Sequence, residues 1–158
     1  MRVLAFAMGL SSLALLAACG KKEAPPESLG LPPVATAQEA LAQLPAQYQG
    51  ADLDNGKSKL NLCRSCHTFT DGGPNGVGPN LYRVFGRKAG SKPDFKYSDA
   101  VKKAGFTWDA DHLDQWLTKP KDFIPGTKMT FQGLPDASDR RDLIAALKVQ
   151  TGTIPPKQ

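Results

Sequence analysis

Apolar residues recur at helical spacing in the second half of the chain and predict an all-helical domain. Two stripes at positions i, i+3 and i+4 carry this signal: Leu113, Trp116 and Leu117, and Leu143, Ile144 and Leu147. The pattern of apolar and polar positions predicts four helices, over 53–62, 98–104, 109–118 and 138–149. Turns rich in glycine and proline separate them, and no convincing series of strands is found. The sequence therefore predicts an all-α domain over 51–151, with a short tail over 152–158.

The first eighteen residues have the layout of a secretory signal. Arg2 is their only charge, and the apolar run from Val3 to Ala18 is too short and too rich in small residues for a membrane span. This run ends in Leu-Leu-Ala-Ala before Cys19, which resembles the lipobox of bacterial lipoproteins. The resemblance implies cleavage before Cys19 and attachment of a lipid to its sulfur. An ordinary signal with a chance cysteine is the alternative, and it would leave a soluble periplasmic protein.

Residues 19–50 differ in character and predict a flexible tether. Charged residues are followed by Pro25-Pro26 and Pro32-Pro33 among small residues, without apolar periodicity. Within this segment, Thr36 and Glu39 have the spacing of a capping box, so one short helix is expected there. A coil of about thirty residues has a typical span of roughly 30 Å, which would hold a small domain off a membrane.

Composition limits the function classes without choosing one. The 158 residues include 20 Lys and Arg against 15 Asp and Glu, a net charge of +5. A basic surface favours acidic partners, whether lipid, nucleic acid or protein. The three cysteines are an odd number, so a simple disulfide framework is not expected and each cysteine needs its own explanation.

One motif has the spacing of the attachment site for c-type haem: Cys63-Arg64-Ser65-Cys66-His67. Two thiols three positions apart can bond the two vinyl groups of one porphyrin, and the histidine that follows is then held as an axial ligand of the iron. A zinc site or a redox dithiol would also use such a cysteine pair. Zinc needs two more ligands, for which only Cys19 and His112 remain, and a dithiol does not need His67. The motif therefore predicts one covalent haem c with its iron.

A six-coordinate iron needs a second axial ligand, for which Met129 and His112 are the candidates. Met129 is the only methionine that follows the predicted signal. It comes after a Pro-Gly turn and outside any apolar stripe, which disfavours the common role of methionine as a flexible core filler. His112 falls in the first turn of a predicted helix and is typical of a surface histidine. We predict that His67 and Met129 bind the iron.

From about residue 56 to 148 the chain resembles the class I cytochromes c of mitochondria and their bacterial counterparts. Five further motifs support the resemblance, in the same order and at similar spacing: Gly78-Pro79-Asn80-Leu81, Phe85-Gly86-Arg87-Lys88, Tyr97-Ser98-Asp99-Ala100, Thr107-Trp108 and Pro125-Gly126-Thr127-Lys128-Met129. The resemblance implies the class I cytochrome c fold, with helices and loops wrapped around one haem.

The resemblance also assigns roles around the haem. It implies that the Pro79 carbonyl accepts the ring N–H of His67, which fixes the orientation of that ligand. It implies that Arg87, Tyr97 and Trp108 provide donors to a buried haem propionate, whose charge would otherwise be costly. It assigns contacts on the methionine side and at the exposed haem edge to three more residues: Trp116, Thr127 and Phe131.

Three positions depart from the family pattern. Leu60 and Ala146 stand where aromatic residues usually mark the contact between the first and last helices of the domain. The loss of an aromatic contact predicts looser packing between those helices. Val101 replaces a common polar residue near the haem, so the usual arrangement of buried water is not expected.

The predicted function is electron transfer without catalysis, since two axial ligands leave no iron position open for a substrate. Between 56 and 129 the chain has thirteen basic and seven acidic residues, which favours acidic redox partners. Candidates are a quinol-oxidising complex, a terminal oxidase, a photosynthetic reaction centre or a reductase. A peroxidase or gas sensor would need Met129 displaced, and export with haem argues against nucleic acid. The expected location is the periplasmic face of a bacterial membrane, with the lipid as anchor.

Overall fold

The computed structural model describes residues 34–152 and has seven helices in that range: α1 (Val34–Ala42), α2 (Ala46–Gln49), α3 (Leu53–Arg64), α4 (Asp99–Lys103), α5 (Ala110–Thr118), α6 (Pro120–Phe123) and α7 (Ala137–Thr151). The same range contains no strand, and its one β-bridge joins Lys88 and Thr107. The all-α fold expected from the sequence is confirmed. The predicted signal, Cys19 and residues 153–158 of the tail lie outside the described residues.

Capping side chains explain where four helices begin. Asp52, Ser98, Asp109 and Asp136 each accept a hydrogen bond from a backbone N–H in the first turn of α3, α4, α5 and α7. An oxygen at this position satisfies one of the amide groups that a helix start leaves without a partner. The four helices predicted from periodicity are therefore present, with ends that shift by one or two residues.

Helices α3 and α7 pack closely and form the centre of the domain. A Cβ added at Gly56 would lie 2.1 Å from the Asp142 carbonyl oxygen and 2.7 Å from Ala146 Cβ. Leu60 and Ala146 are both buried. The looser packing expected from the missing aromatic residues is not what the structure shows. Two small residues, Gly56 and Ala146, let the helix backbones approach each other directly.

A buried carboxylate reinforces this helix pair. Asp142 accepts hydrogen bonds from the Asp52 N–H at 3.1 Å, from Asn55 Nδ2 at 2.9 Å and from Arg141 Nη2 at 2.7 Å. Burial alone would raise the pKa of Asp142, but these hydrogen bonds outweigh burial and hold that pKa below its usual value. The start of α3 is thereby tied to the middle of α7.

The segment 34–50, predicted to belong to the flexible tether, is instead folded against the domain. Helices α1 and α2 both pack on α7, and Leu44 and Tyr48 are buried. The Tyr48 hydroxyl donates to the Ala110 carbonyl at 3.3 Å, and Lys148 Nζ donates to Gln43 Oε1 at 2.9 Å. The tether prediction is therefore wrong for 34–50, because its few apolar side chains are buried in the hydrophobic core of the domain.

Helix α1 also differs from the expected capping box. It begins at Val34, two residues before the proposed cap at Thr36, so Thr36 lies inside the helix. Over the described range 34–152, the structure has no helix with the length and apolar character needed to cross a bilayer.

Candidate cofactor site

A cavity of about 480 Å³ opens between the end of α3 and three loops. Its walls come from 62–67, from 77–79, from 95–101 and from 127–131. Eight of the residues predicted to contact a cofactor line it: Cys63, Cys66, His67, Pro79, Tyr97, Thr127, Met129 and Phe131. Loops thus provide most of the wall, and the helices α3 and α4 hold those loops in place.

The cysteine pair lies where α3 ends. The N–H groups of Cys66 and His67 both donate to the Cys63 carbonyl, at 3.1 and 2.9 Å, so the chain continues for one more turn beyond Arg64. This turn places both thiols and the His67 ring on the cavity wall. The two cysteines form no disulfide with each other. Before a haem is attached, burial, with a smaller contribution from Cys66, raises the pKa of the Cys63 thiol to about 11.

His67 is held in one orientation. Its Nδ1 lies 2.7 Å from the Pro79 carbonyl oxygen, and because a carbonyl can only accept, Nδ1 donates the hydrogen bond. Burial lowers the pKa of His67, with the Pro79 hydrogen bond acting in the opposite direction. The ring is therefore neutral near pH 7 and keeps the lone pair of Nε2 free for a metal ion.

The wall next to His67 depends on the absence of a side chain. A Cβ added at Gly78 would lie 2.2 Å from His67 Cε1. The Gly78 N–H donates to the Cys66 carbonyl at 2.9 Å, so this backbone is fixed against the cysteine motif. Only glycine permits a backbone this close to the ring.

Met129 reaches the cavity from the loop between α6 and α7. Gly126 has a φ of 90°, a left-handed conformation that glycine adopts readily. The Thr127 N–H donates to the Ile124 carbonyl at 3.1 Å, and the Met129 N–H donates to Thr127 Oγ1 at 3.2 Å. This turn directs Met129 into the same cavity as His67.

His112, the alternative ligand, lies elsewhere. Its Nδ1 is 2.7 Å from Asp109 Oδ1, and its ring stacks on Phe106 with centroids 4.3 Å apart. It lines a separate, shallow hollow with Phe106 and Phe123. Of the two candidates, only Met129 is positioned to share a metal ion with His67.

Arg87, Trp108 and Trp116, also predicted as cofactor contacts, do not line this cavity. The Arg87 guanidinium donates to the carbonyls of Asn80 at 3.1 Å and Tyr82 at 3.3 Å. Burial lowers the pKa of Arg87, while Tyr97 and Asp94 act in the opposite direction. Arg87 thus provides a cation behind Tyr97, whose own pKa is raised mainly by burial.

The two tryptophans form an aromatic layer. The Trp108 and Trp116 rings are edge-to-face with centroids 5.5 Å apart, and Phe106 meets Trp108 at 4.8 Å. This layer packs in the hydrophobic core together with Met129 and Tyr97. The layer is therefore part of the hydrophobic core and does not line the cavity.

Sequence reasoning missed the apolar rim of the cavity. Leu62 and Val77 line it yet are 52% and 82% exposed, and they are the two exposed large hydrophobic residues among the described positions. Val77 is a lone apolar residue in a glycine-rich turn, and Leu62 falls off the buried stripe of α3. Lys96 and Lys128 line the same cavity, so the rim combines apolar and basic side chains.

The residues fit a covalently bound haem. Two thiols, a neutral imidazole and a thioether converge on one cavity, and these are the groups that attach and ligate a c-type haem. Aliphatic and aromatic side chains, among them Leu62, Val77, Phe95, Val101 and Phe131, supply much of the remaining wall, which suits a flat apolar ring system. No group of three or more histidine, cysteine or acidic residues suited to a metal ion occurs within 34–152.

Comparisons with known proteins agree with this geometry. The chain is 43% identical over 119 residues to cytochrome c2 of Rhodomicrobium vannielii, which covers 75% of this chain and 95% of that protein. It is 46% identical over 103 residues to cytochrome c of Gibberella zeae, covering 65% of this chain and 97% of that protein. Cytochrome cH from Methylobacterium extorquens has a similar structure, with a TM-score of 0.58 and 45% sequence identity. The match covers 62% of this chain and 98% of the cytochrome cH chain. No protein-family model matches the chain.

Proposed function

This chain belongs to the class I monohaem cytochromes c, and from that premise we propose that it carries electrons between redox proteins while a lipid on Cys19 holds it at the periplasmic face of a bacterial membrane. Family membership makes it a haem-based electron carrier with one covalent haem c, rather than an enzyme. The observation that supports the assignment of the site is the convergence of Cys63, Cys66, His67 and Met129 on one cavity.

The haem, when bound, supplies an iron that alternates between the ferrous and ferric states. Around it, we assign attachment to Cys63 and Cys66, and axial ligation to His67 and Met129. His67 presents Nε2 because Nδ1 donates to Pro79. A thioether ligand favours the reduced state and raises the potential, which suits a carrier that receives electrons from stronger reductants.

The rim of the cavity supports a role in brief encounters with partners. Leu62 and Val77 offer a small apolar contact, and Lys96 and Lys128 place positive charge beside it. Several other lysines are paired with aspartates, among them Lys57, Lys59, Lys92, Lys102 and Lys119. We therefore propose that an acidic partner surface docks at this rim, where charge speeds association without requiring tight binding.

A test of the ligand assignment compares Met129→Ala with His112→Ala. We expect Met129→Ala to abolish the near-infrared band of the ferric protein, to lower the potential and to permit carbon monoxide binding. His112→Ala should leave all three properties unchanged. Loss of the band in His112→Ala alone would assign the second ligand to His112.

A test of the anchor uses Cys19→Ser. We expect metabolic lipid labelling of the wild type and no labelling of the variant, which should move from the membrane fraction to the soluble fraction with an unchanged absorption spectrum. A wild-type protein that is unlabelled and soluble would contradict the anchor and leave the electron-transfer function intact.

A test of docking follows the rate of electron transfer with ionic strength. The Debye length falls from about 30 Å at 0.01 M to about 10 Å at 0.1 M, so the rate should fall steeply over that range. Lys128→Glu should slow association more than Lys121→Glu, because Lys121 lies on α6 and does not line the cavity. A rate that is flat in salt would mean that the partner surface is not acidic.

A further inference from the structure

The Met129 loop, which presents Met129 to the cavity, runs from 124 to 136 between α6 and α7. Its first half is held by its own turn, in which Thr127 and Met129 bond locally. A thioether is a weak, neutral ligand on a flexible side chain. The position of Met129 therefore depends on what fixes the second half of the loop.

The second half is fixed against helix α5. The Leu134 N–H donates to the Leu117 carbonyl at 2.8 Å. Gly133 adopts a φ of 102°, and a Cβ added there would lie 2.1 Å from the Thr118 carbonyl oxygen. The loop backbone thus lies directly on the last turn of α5, five residues after Met129.

A single buried guanidinium holds this contact together. Arg140 Nη1 donates to two successive loop carbonyls, those of Leu134 at 2.9 Å and Pro135 at 2.8 Å. Arg140 Nε donates to Asp114 Oδ1 at 2.8 Å. The Arg140 side chain is only 10% exposed. It lies on α7, and Asp114 lies on α5, so one side chain joins α7, α5 and the Met129 loop.

We propose that Arg140 is a positioning residue for Met129. The planar guanidinium bonds the loop on one edge and the Asp114 carboxylate on another, a geometry that a lysine ammonium cannot reproduce. It keeps the loop seated on α5, and so keeps the thioether directed into the cavity. The proposal deepens the proposed function, since it rests on Met129 as the second axial ligand.

The test separates positioning from plain stability. Asp142→Asn is the matched control, because Asp142 is also a buried, hydrogen-bonded charge on α7 but ties α7 to α3 and has no contact with the Met129 loop. The haem-loaded variants Arg140→Gln, Arg140→Lys and Asp142→Asn are compared with the wild type. The measurements are urea unfolding, imidazole titration of the ferric protein and amide hydrogen exchange.

We expect imidazole to bind Arg140→Gln about ten-fold more tightly than wild type, because the thioether is displaced more easily. Amides over 127–134 should exchange about ten-fold faster in this variant, with α3 unaffected. Arg140→Lys keeps the charge beside Asp114, so its changes in imidazole affinity and in exchange should have the same direction and be smaller. This variant serves for the test if Arg140→Gln does not fold. Asp142→Asn should lose stability without a change in imidazole affinity.

Two outcomes overturn the proposal. Equal imidazole affinities in Arg140 and Asp142 variants of matched stability would make Arg140 merely structural. Unchanged exchange over 127–134 in both Arg140 variants would show that the guanidinium does not hold the loop. If instead Met129→Ala leaves imidazole affinity unchanged, the ligand assignment fails, and the exchange measurement still decides whether Arg140 holds the loop.

Discussion

The helical frame and the cavity are built on different principles. The frame consists of α3, α5 and α7, with α1 and α2 packed on α7. Its side chains pack against and hydrogen-bond one another: Leu143 and Ile144 are fully buried, and Asp142 accepts hydrogen bonds from three residues. The cavity walls are mostly loops, whose apolar side chains surround about 480 Å³ of space. The helices of the frame are packed by protein side chains alone, whereas the side chains of the cavity walls need the haem as their packing partner.

Removal of the haem attachment should have the largest effect, and it should affect the cavity walls more than the helical frame. In Cys63→Ala/Cys66→Ala, the cavity loses the group that fills it, and loops without a packing partner cannot offset their conformational entropy. We expect an apoprotein that fails to fold cooperatively, with any residual helix confined to the frame. Circular dichroism and hydrogen exchange measure this. A cooperative, native-like melt of the apoprotein would show that the walls are self-supporting.

A change in the frame should lower stability without altering the site. In Gly56→Ala, the new methyl group meets the Asp142 carbonyl at 2.1 Å. Overpacking costs about 3 kcal/mol, against about 1 kcal/mol gained in helix propensity, so we expect a net loss of about 2 kcal/mol.

Urea unfolding measures this loss, and the near-infrared band should stay unchanged. Gly50→Ala is the control, since a Cβ at Gly50 meets nothing within 4 Å. Equal effects of the two substitutions would contradict the close approach of α3 and α7.

Acid should weaken the frame through Asp142. Its pKa is lower in the folded protein than in the unfolded chain, so its contribution to stability is full above the unfolded value of about 3.9 and is lost as pH falls through the folded pKa. Asp142→Asn should cost about 1.5 kcal/mol near pH 7 and flatten the decline below pH 4. Thermal melts between pH 2 and 7 measure both effects. An unchanged acid decline in the variant would assign it to other carboxylates.

The smallest effect is expected at the contact between α2 and α5. Burial, reinforced by Asp114 and Asp111, raises the pKa of Tyr48 to about 12. Stability from this group is full below pH 10 and declines as pH rises toward 12, because the unfolded chain ionises first. Tyr48→Phe should cost about 1 kcal/mol through loss of the hydrogen bond to Ala110, and should remove this alkaline decline. Melts from pH 8 to 11 on both proteins test it.

The sequence predicted the structure well where a pattern of residue types is compatible with only one local structure. Apolar periodicity located α5 and α7 to within two residues, and the residues of the C-x-x-C-H motif and Met129 line one cavity. The docking of 34–50 was missed because Leu44 and Tyr48 are too few to show a period. Their burial depends on packing against α7, which lies about a hundred residues further along the chain and leaves no local pattern. The cavity rim at Val77 was missed because an exposed apolar residue in a turn has no pattern of its own.

The docking of α1 and α2 has a consequence for how far the protein can travel. If the lipid is attached at Cys19, fourteen residues, 20–33, separate the anchor from α1, in place of the thirty-one residues of 20–50 in a tether that stays unfolded. The typical span of such a chain falls from about 30 Å to about 20 Å. Effective concentration varies roughly as the inverse 3/2 power of linker length, so partners in the same membrane meet a concentration of haem about three-fold higher. With a lipid on Cys19, the docking of 34–50 would thus shorten the reach of the haem domain and raise the frequency of its encounters with partners in the same membrane.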